Sequence, residues 1–118
     1  MAARAATVRA FVPDIGDVVH VHFTASPRDL PAAPKAALVL SPAAYNRKTG
    51  LMVCCALVQQ PKGYPFETPL AAQPGAAALA DQVKSLKWAG TRITLEGRAT
   101  PDELAQVRAK LRALLFPD

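Results

Sequence analysis

Eleven prolines, spread from Pro13 to Pro117, constrain this 118-residue chain more than any other feature. Proline donates no backbone hydrogen bond and fixes φ, so it is confined to turns, strand ends, sheet edges and the first turn of a helix. Here the prolines cut the apolar, β-branched stretches into pieces of strand length. The clearest helical pattern starts at a proline, Pro101.

The pieces read as strands in turn. Asp17 to Thr24 alternates and forms a first strand, with Val19, Val21 and Phe23 toward the core and Val18, His20 and His22 on the other, partly exposed face. Pro27, Pro31 and Pro34 make 25–35 a loop, and loops of that length are often functional. A buried strand follows over 36–40. Ser41 and Pro42 then read as N-cap and first position of a short helical turn that ends over 46–50. Leu51 to Gln59 is apolar throughout, as expected of a central strand. Residues 64–70 form a strand in which Pro65 and Pro69 must sit at an edge, a bulge or a strand end, and Gln73-Pro74-Gly75 is a turn. A short strand over 76–80 leads to a brief helical turn capped by Asp81 and running through Ser85, and 91–97 is a last strand.

Thr100, Pro101 and Glu103 spell a capping box for a terminal helix, whose apolar stripe is Leu104, Val107, Leu111 and Leu114. Short strands around one terminal helix make the chain mainly β with a C-terminal helix, a strongly bent sheet or partial barrel. Residues 1–10 read as a disordered N-terminal extension, and 11–118 as one domain.

Cys54 and Cys55, the only two cysteines, are adjacent on a strand and point to opposite faces, so they do not pair with each other. No His, Cys or carboxylate cluster has metal-ligand spacing, and no metal or cofactor is expected. No stretch approaches the ~18 apolar residues of a membrane span, and no signal-peptide core follows Arg4 and Arg9. A soluble, cytoplasmic protein is expected. Its net charge of +5 suits a polyanionic partner, although many small basic domains bind none.

Several blocks together are more specific. Lys62-Gly63-Tyr64-Pro65-Phe66-Glu67, the run 79–88 from Leu79 to Trp88, the run 40–46 with Lys48-Thr49-Gly50, and Pro13-Asp14-Ile15-Gly16-Asp17 recur in order over residues 11–116. In these blocks the chain resembles the MazF/PemK family of bacterial toxin endoribonucleases. The resemblance implies an SH3-like barrel that pairs as a homodimer, binds single-stranded RNA along a groove at the dimer surface, and is held by a cognate antitoxin. It further implies metal-independent cleavage by attack of a 2′-hydroxyl on its own phosphate, leaving a cyclic phosphate and a 5′-hydroxyl. Such chemistry needs proton transfer and a cation or donor on the developing charge.

The chain departs from the family where that chemistry is expected. The arginine position falls on Lys35, which keeps the charge and loses the planar fork. The threonine position falls on Val58, which has no hydroxyl. The position of an assisting loop glutamate falls on Leu30, beside Asp29. Lys35 and Gln59 are therefore the catalytic candidates, the lysine as phosphate cation and the glutamine as amide donor. A solvated lysine and an ordinary strand-end glutamine are the alternatives. His20 and His22 could exchange protons near neutral pH or simply sit half exposed in the strand.

For RNA binding the resemblance and residue chemistry point to Arg28, Gln60, Lys62, Tyr64, Asp81, Gln82 and Lys84. Tyr64 suits base stacking in an exposed turn, whereas Phe66 and Trp88 fit core packing better. Loss of the arginine, threonine and glutamate together leaves a second reading open, a member that binds RNA or antitoxin without cutting. A toxin of the same fold acting on a topoisomerase is a third.

Overall fold

The computed structural model describes residues 11–22 and 34–117. Expectations for the extension 1–10, for Phe23, and for Arg28, Asp29 and Leu30 fall outside the described residues. The elements run β1 (Asp17–His22), β2 (Lys35–Val39), α1 (Ala43–Thr49), β3 (Leu51–Val58), β4 (Glu67–Pro69), β5 (Ala77–Lys87), β6 (Arg92–Arg98) and α2 (Pro101–Leu115). All six strands form one antiparallel sheet in the order β4-β5-β3-β2-β1-β6. The expected mainly β fold with a C-terminal helix is present.

Each face of the sheet carries its own core, because alternate residues of one strand point to opposite sides. Val18, Leu38, Cys55, Leu70, Ala78 and Ala80 pack under Val107 of α2. Val19, Val21, Ala37, Val39, Met52 and Cys54 pack on the other side with Phe11, Leu86, Trp88 and Ile93. Cys54 and Cys55 thus lie on opposite faces as expected. Val18 is fully buried beneath α2, where partial exposure was expected.

The Thr100 capping box is formed: the Thr100 side chain accepts from Glu103 N–H while the Glu103 carboxylate accepts from Thr100 N–H. Of the stripe on α2, Val107 is buried and Leu111 half-buried, but Leu114 is 39% exposed. The helix outruns the sheet it covers.

Local expectations at Ser41, at Asn46, over 64–70 and at Asp81 are corrected. Ser41 does not cap α1: Pro42 occupies the cap position, and Ser41 Oγ donates to Asn46 Oδ1 (2.6 Å) and accepts from Val53 N–H (2.8 Å). The capping acceptor comes from far in sequence, as Asp14 Oδ1 takes the Ala43 N–H at 2.9 Å. Asn46 lies inside α1 and not in a terminating turn, and the helix ends at Gly50, whose φ of 75° closes a bond from its N–H to Asn46 O.

The strand expected over 64–70 shrinks to β4, because Glu67 N–H turns back onto Tyr64 O at 3.0 Å. The expected helical turn at Asp81 is absent. Residues 81–85 continue β5, with Val83 paired to Cys55 and Ser85 to Val53. The polar residues that suggested a helix cap occupy a bulge, in which the five-residue step from Ala78 to Val83 faces the two-residue step from Cys55 to Leu57.

Asp17 opens β1 almost fully buried, paired with Arg98 of β6 and accepting the Asp14 N–H at 2.9 Å. Burial pushes its carboxyl upward, against the opposing pull of the Asp14 N–H and the Arg98 guanidinium.

Candidate functional site

The bulge of β5 and the 59–66 connection face each other across a cleft of about 240 Å³. Val58, Phe66 and Leu79 are its half-buried floor, and the exposed Lys62, Tyr64, Asp81 and Gln82 are its rim. Four of the expected RNA-binding residues are therefore brought together around Val58.

Glu67 builds the near wall. Its carboxylate accepts three backbone N–H groups: Lys62 N at 3.0 Å on Oε2, and Gly63 N at 2.7 Å and Tyr64 N at 3.2 Å on Oε1. The Lys62 N–H in the first place, with those of Gly63 and Tyr64 and the Lys62 charge, holds this carboxyl below the ordinary carboxylate value, against the effect of burial. Gly63 takes φ 82°, and an added Cβ there would meet nothing within 4 Å, so the backbone conformation alone demands glycine. Behind the wall, Lys110 Nζ of α2 donates to Glu67 O (2.7 Å) and Thr68 Oγ1 (2.9 Å), which fixes β4 to the helix.

Tyr64 is 58% exposed at the rim, while Phe66 and Trp88 pack against the two cores, and Trp88 Nε1 donates to Asn46 O at 2.9 Å. This division follows the sequence expectation.

The remaining candidates lie outside the cleft lining. Lys35 is exposed at the start of β2 and pairs with Val21 of β1. Extending the Ala37–Ala56 register by two residues sets Lys35 opposite Val58, the same neighbourhood approached from the next strand. Gln59 and Gln60 are exposed immediately after Val58. Lys84 is exposed on β5, across from Cys54.

His20 and His22 do not converge with Lys35. They flank Val21, and Lys35 shares the face of Val21, so strand alternation sends both imidazoles to the opposite side. There they join a polar network. Thr94 Oγ1 gives its one proton to Glu96 Oε2 (2.9 Å), so His22 Nε2 donates to Thr94 Oγ1 (3.1 Å), and His20 Nδ1 lies 3.6 Å from Glu96 Oε2.

Cys54 and Cys55 offer no nucleophile. Burial raises their thiols to about 11 and about 12, Lys84 pulling the first slightly down and Cys54 adding to the second. Among the described residues no three His, Cys, Asp or Glu side chains converge as metal ligands.

A half-buried apolar floor, an exposed tyrosine, a rim lysine, and a carboxylate and amide able to read hydrogen-bonding edges form a constellation suited to a nucleotide. Sequence reading missed Glu67 as the builder of this site. Its signal was present, an acid four residues after a turn glycine within Lys62-Gly63-Tyr64-Pro65-Phe66-Glu67.

Residues 14–115 match the model of the PemK-like, MazF-like toxins of type II toxin-antitoxin systems. The chain belongs to that family. The endoribonuclease toxin MazF of Escherichia coli K12 is 42% identical over 109 residues, which cover 92% of this chain and 98% of that protein. The crystal structure of MazE-MazF (form III) from Deinococcus radiodurans superposes with a TM-score of 0.81 at 42% identity, over 92% of this chain and 100% of that one. An endoribonuclease in complex with its cognate antitoxin from mycobacterial species shares the fold at a TM-score of 0.71 and 24% identity, over 90% and 98% of the two chains. The Lys62–Glu67 wall and the Leu79–Gln82 stretch of β5 frame the cleft of this MazF-like chain.

Proposed function

We propose that this chain is the toxin of a type II toxin-antitoxin pair and a metal-independent endoribonuclease that cuts single-stranded messenger RNA at a short sequence in the cytoplasm. The observation that carries the reading is its 42% identity, over 92% of its length, to the endoribonuclease toxin MazF, joined to a cleft rimmed by Lys62, Tyr64, Asp81 and Gln82.

In this reading RNA lies across the cleft with a base against Tyr64 and its phosphates toward Lys62, Lys84 and Gln60, and Arg28 adds a further cation for RNA binding. Lys35 approaches the scissile phosphate from β2 as the cation on the developing phosphorane, and the Gln59 amide donates a hydrogen bond to it. The 2′-hydroxyl gives its proton to water and bonds to the adjacent phosphorus as the bond from phosphorus to the 5′-oxygen breaks, and that oxygen takes a proton from water to leave as the 5′-hydroxyl. Valine at position 58 withholds one donor, so the rate is lower than a hydroxyl there would give.

The working unit of the proposal is a homodimer. Leu114, Leu115 and Phe116 are 39%, 62% and 71% exposed at the end of α2, and the last two line an open groove with Leu40 and Leu111. Apolar surface of that kind favours association with another chain. A cognate antitoxin is the second partner proposed, in keeping with the mycobacterial endoribonuclease solved with its own.

Val58 on the cleft floor and Lys35 outside its lining specifically favour a second reading, a member that binds RNA or antitoxin without cutting. Induced expression in a bacterial host, with primer extension on total RNA, separates the two. Growth arrest with discrete new 5′ ends is the result expected. Growth arrest with intact RNA and inhibited topoisomerase would move the target to protein, and unaffected growth with intact RNA would favour the non-cutting member.

A further inference from the structure

We infer that Glu67 is the positioning residue of the RNA cleft: by taking the three successive N–H groups of Lys62, Gly63 and Tyr64, it presents the Lys62 and Tyr64 side chains to the substrate. The inference rests on the ribonuclease reading above and assigns to that site a residue that contributes to RNA affinity without being a principal RNA contact.

Three successive N–H groups converging on one point form an anion-binding concavity, a geometry that often receives phosphate. Here the chain fills it with its own carboxylate at 2.7–3.2 Å. Glu67 is 8% exposed, so the anion is built in.

The carboxylate is not needed to hold β4 itself. That strand is paired with β5 from Glu67–Leu79 to Pro69–Ala77, and the Lys110 ammonium bonds the Glu67 carbonyl and the Thr68 hydroxyl. The turn is different. Among the described hydrogen bonds, the only tie of residues 62–64 besides the carboxylate is Glu67 N–H to Tyr64 O, while the Phe66 carbonyl next to β4 accepts from Ala80 N–H. Lys62 and Tyr64 use their backbone N–H groups on Glu67 and engage their side chains in no described hydrogen bond, which leaves the ammonium and the phenol for a ligand.

Losing the carboxylate would therefore free three donors and let the turn wander while β4 stays seated. Ordering of Lys62 and Tyr64 would then be drawn from the binding energy of RNA.

The test measures affinity, independent of cleavage. Fluorescence anisotropy follows a fluorescein-labelled, mixed-sequence 20-nucleotide RNA made entirely of 2′-O-methyl ribose, with wild type, Glu67→Ala, Glu67→Gln, Lys62→Ala, Tyr64→Ala and the doubles of Glu67→Ala with each. Thermal melts by circular dichroism identify variants folded at the assay temperature; if Glu67→Ala is not, Glu67→Gln takes its place in the doubles.

Glu67→Ala is expected to weaken binding about tenfold, and Glu67→Gln, which keeps one acceptor oxygen, by less. Each double is expected to bind worse than its Lys62 or Tyr64 single by clearly less than the full Glu67→Ala factor, because part of that factor acts through the side chain already removed. Wild-type affinity in both folded Glu67 variants, or losses that add fully in the doubles, would overturn the inference and leave the ribonuclease reading standing. A wild-type protein that binds no RNA overturns that reading, and this inference with it.

Discussion

Ser41 Oγ donates to Asn46 Oδ1 at 2.6 Å across the first turn of α1, and the Asn46 side chain is wholly buried. Its amide nitrogen donates onward to Pro13 O (2.8 Å) and Ser41 O (3.0 Å), while its backbone carbonyl receives the Trp88 indole N–H. One residue thus ties the segment before β1, the end of β2, helix α1 and the end of β5 together. Asn46→Ala leaves a buried hydroxyl and two buried carbonyls short of partners, and is expected to cost about 2 to 3 kcal/mol in urea unfolding. A loss within 0.5 kcal/mol, about that of an ordinary surface substitution, would contradict this role.

Thr100→Ala removes the acceptor for Glu103 N–H at the start of α2. The expected loss is about 1 kcal/mol, read as a lower unfolding midpoint at unchanged slope. Thr100→Ser should recover most of it.

The Glu67 carboxyl is held below its ordinary 4.5 by the Lys62, Gly63 and Tyr64 N–H groups. A carboxyl lowered on folding stabilises the protein above its unfolded value and loses that contribution as pH falls through the folded one. The stability difference between wild type and Glu67→Gln should therefore be constant between pH 6 and 8 and shrink below about pH 4.5. Urea titrations across that range check it, and a difference that grows on acidification would contradict the assignment.

The two thiols, raised to about 11 and about 12 and buried in separate cores, should resist modification. At pH 8 well under ~1% of either is thiolate. A chromogenic disulfide reagent is expected to label neither in the folded protein within minutes and both at once in urea.

Much of this fold was legible because pattern and chain chemistry agree. Val19 and Val21 alternate with His20 and His22, and the Thr100-Pro101-Glu103 signature fixes the start of α2 from three residues alone. What failed was local chemistry overridden from a distance. Ser41 looked like a cap until Asp14 supplied the acceptor, and Asp81 looked like a cap until cross-strand pairing with β3 drew residues 81–85 into β5. The candidate site was half legible. The Lys62–Glu67 block marks a turn, but that its carboxylate gathers three N–H groups depends on a backbone path that residue types alone do not reveal.

Val58 on the cleft floor predicts a direct gain. Val58→Thr restores a hydroxyl with almost no change of shape, so cleavage should rise about tenfold or more while stability falls slightly. An unchanged rate in the folded variant would mean that position 58 lies away from the reacting phosphate.

The most direct measurement incubates purified protein with mixed-sequence single-stranded RNA in excess chelator and maps the new ends by primer extension. The account predicts discrete cuts that leave 5′-hydroxyl and cyclic phosphate ends, and that vanish in Lys35→Ala. Intact RNA after prolonged incubation with folded, RNA-binding protein would contradict it.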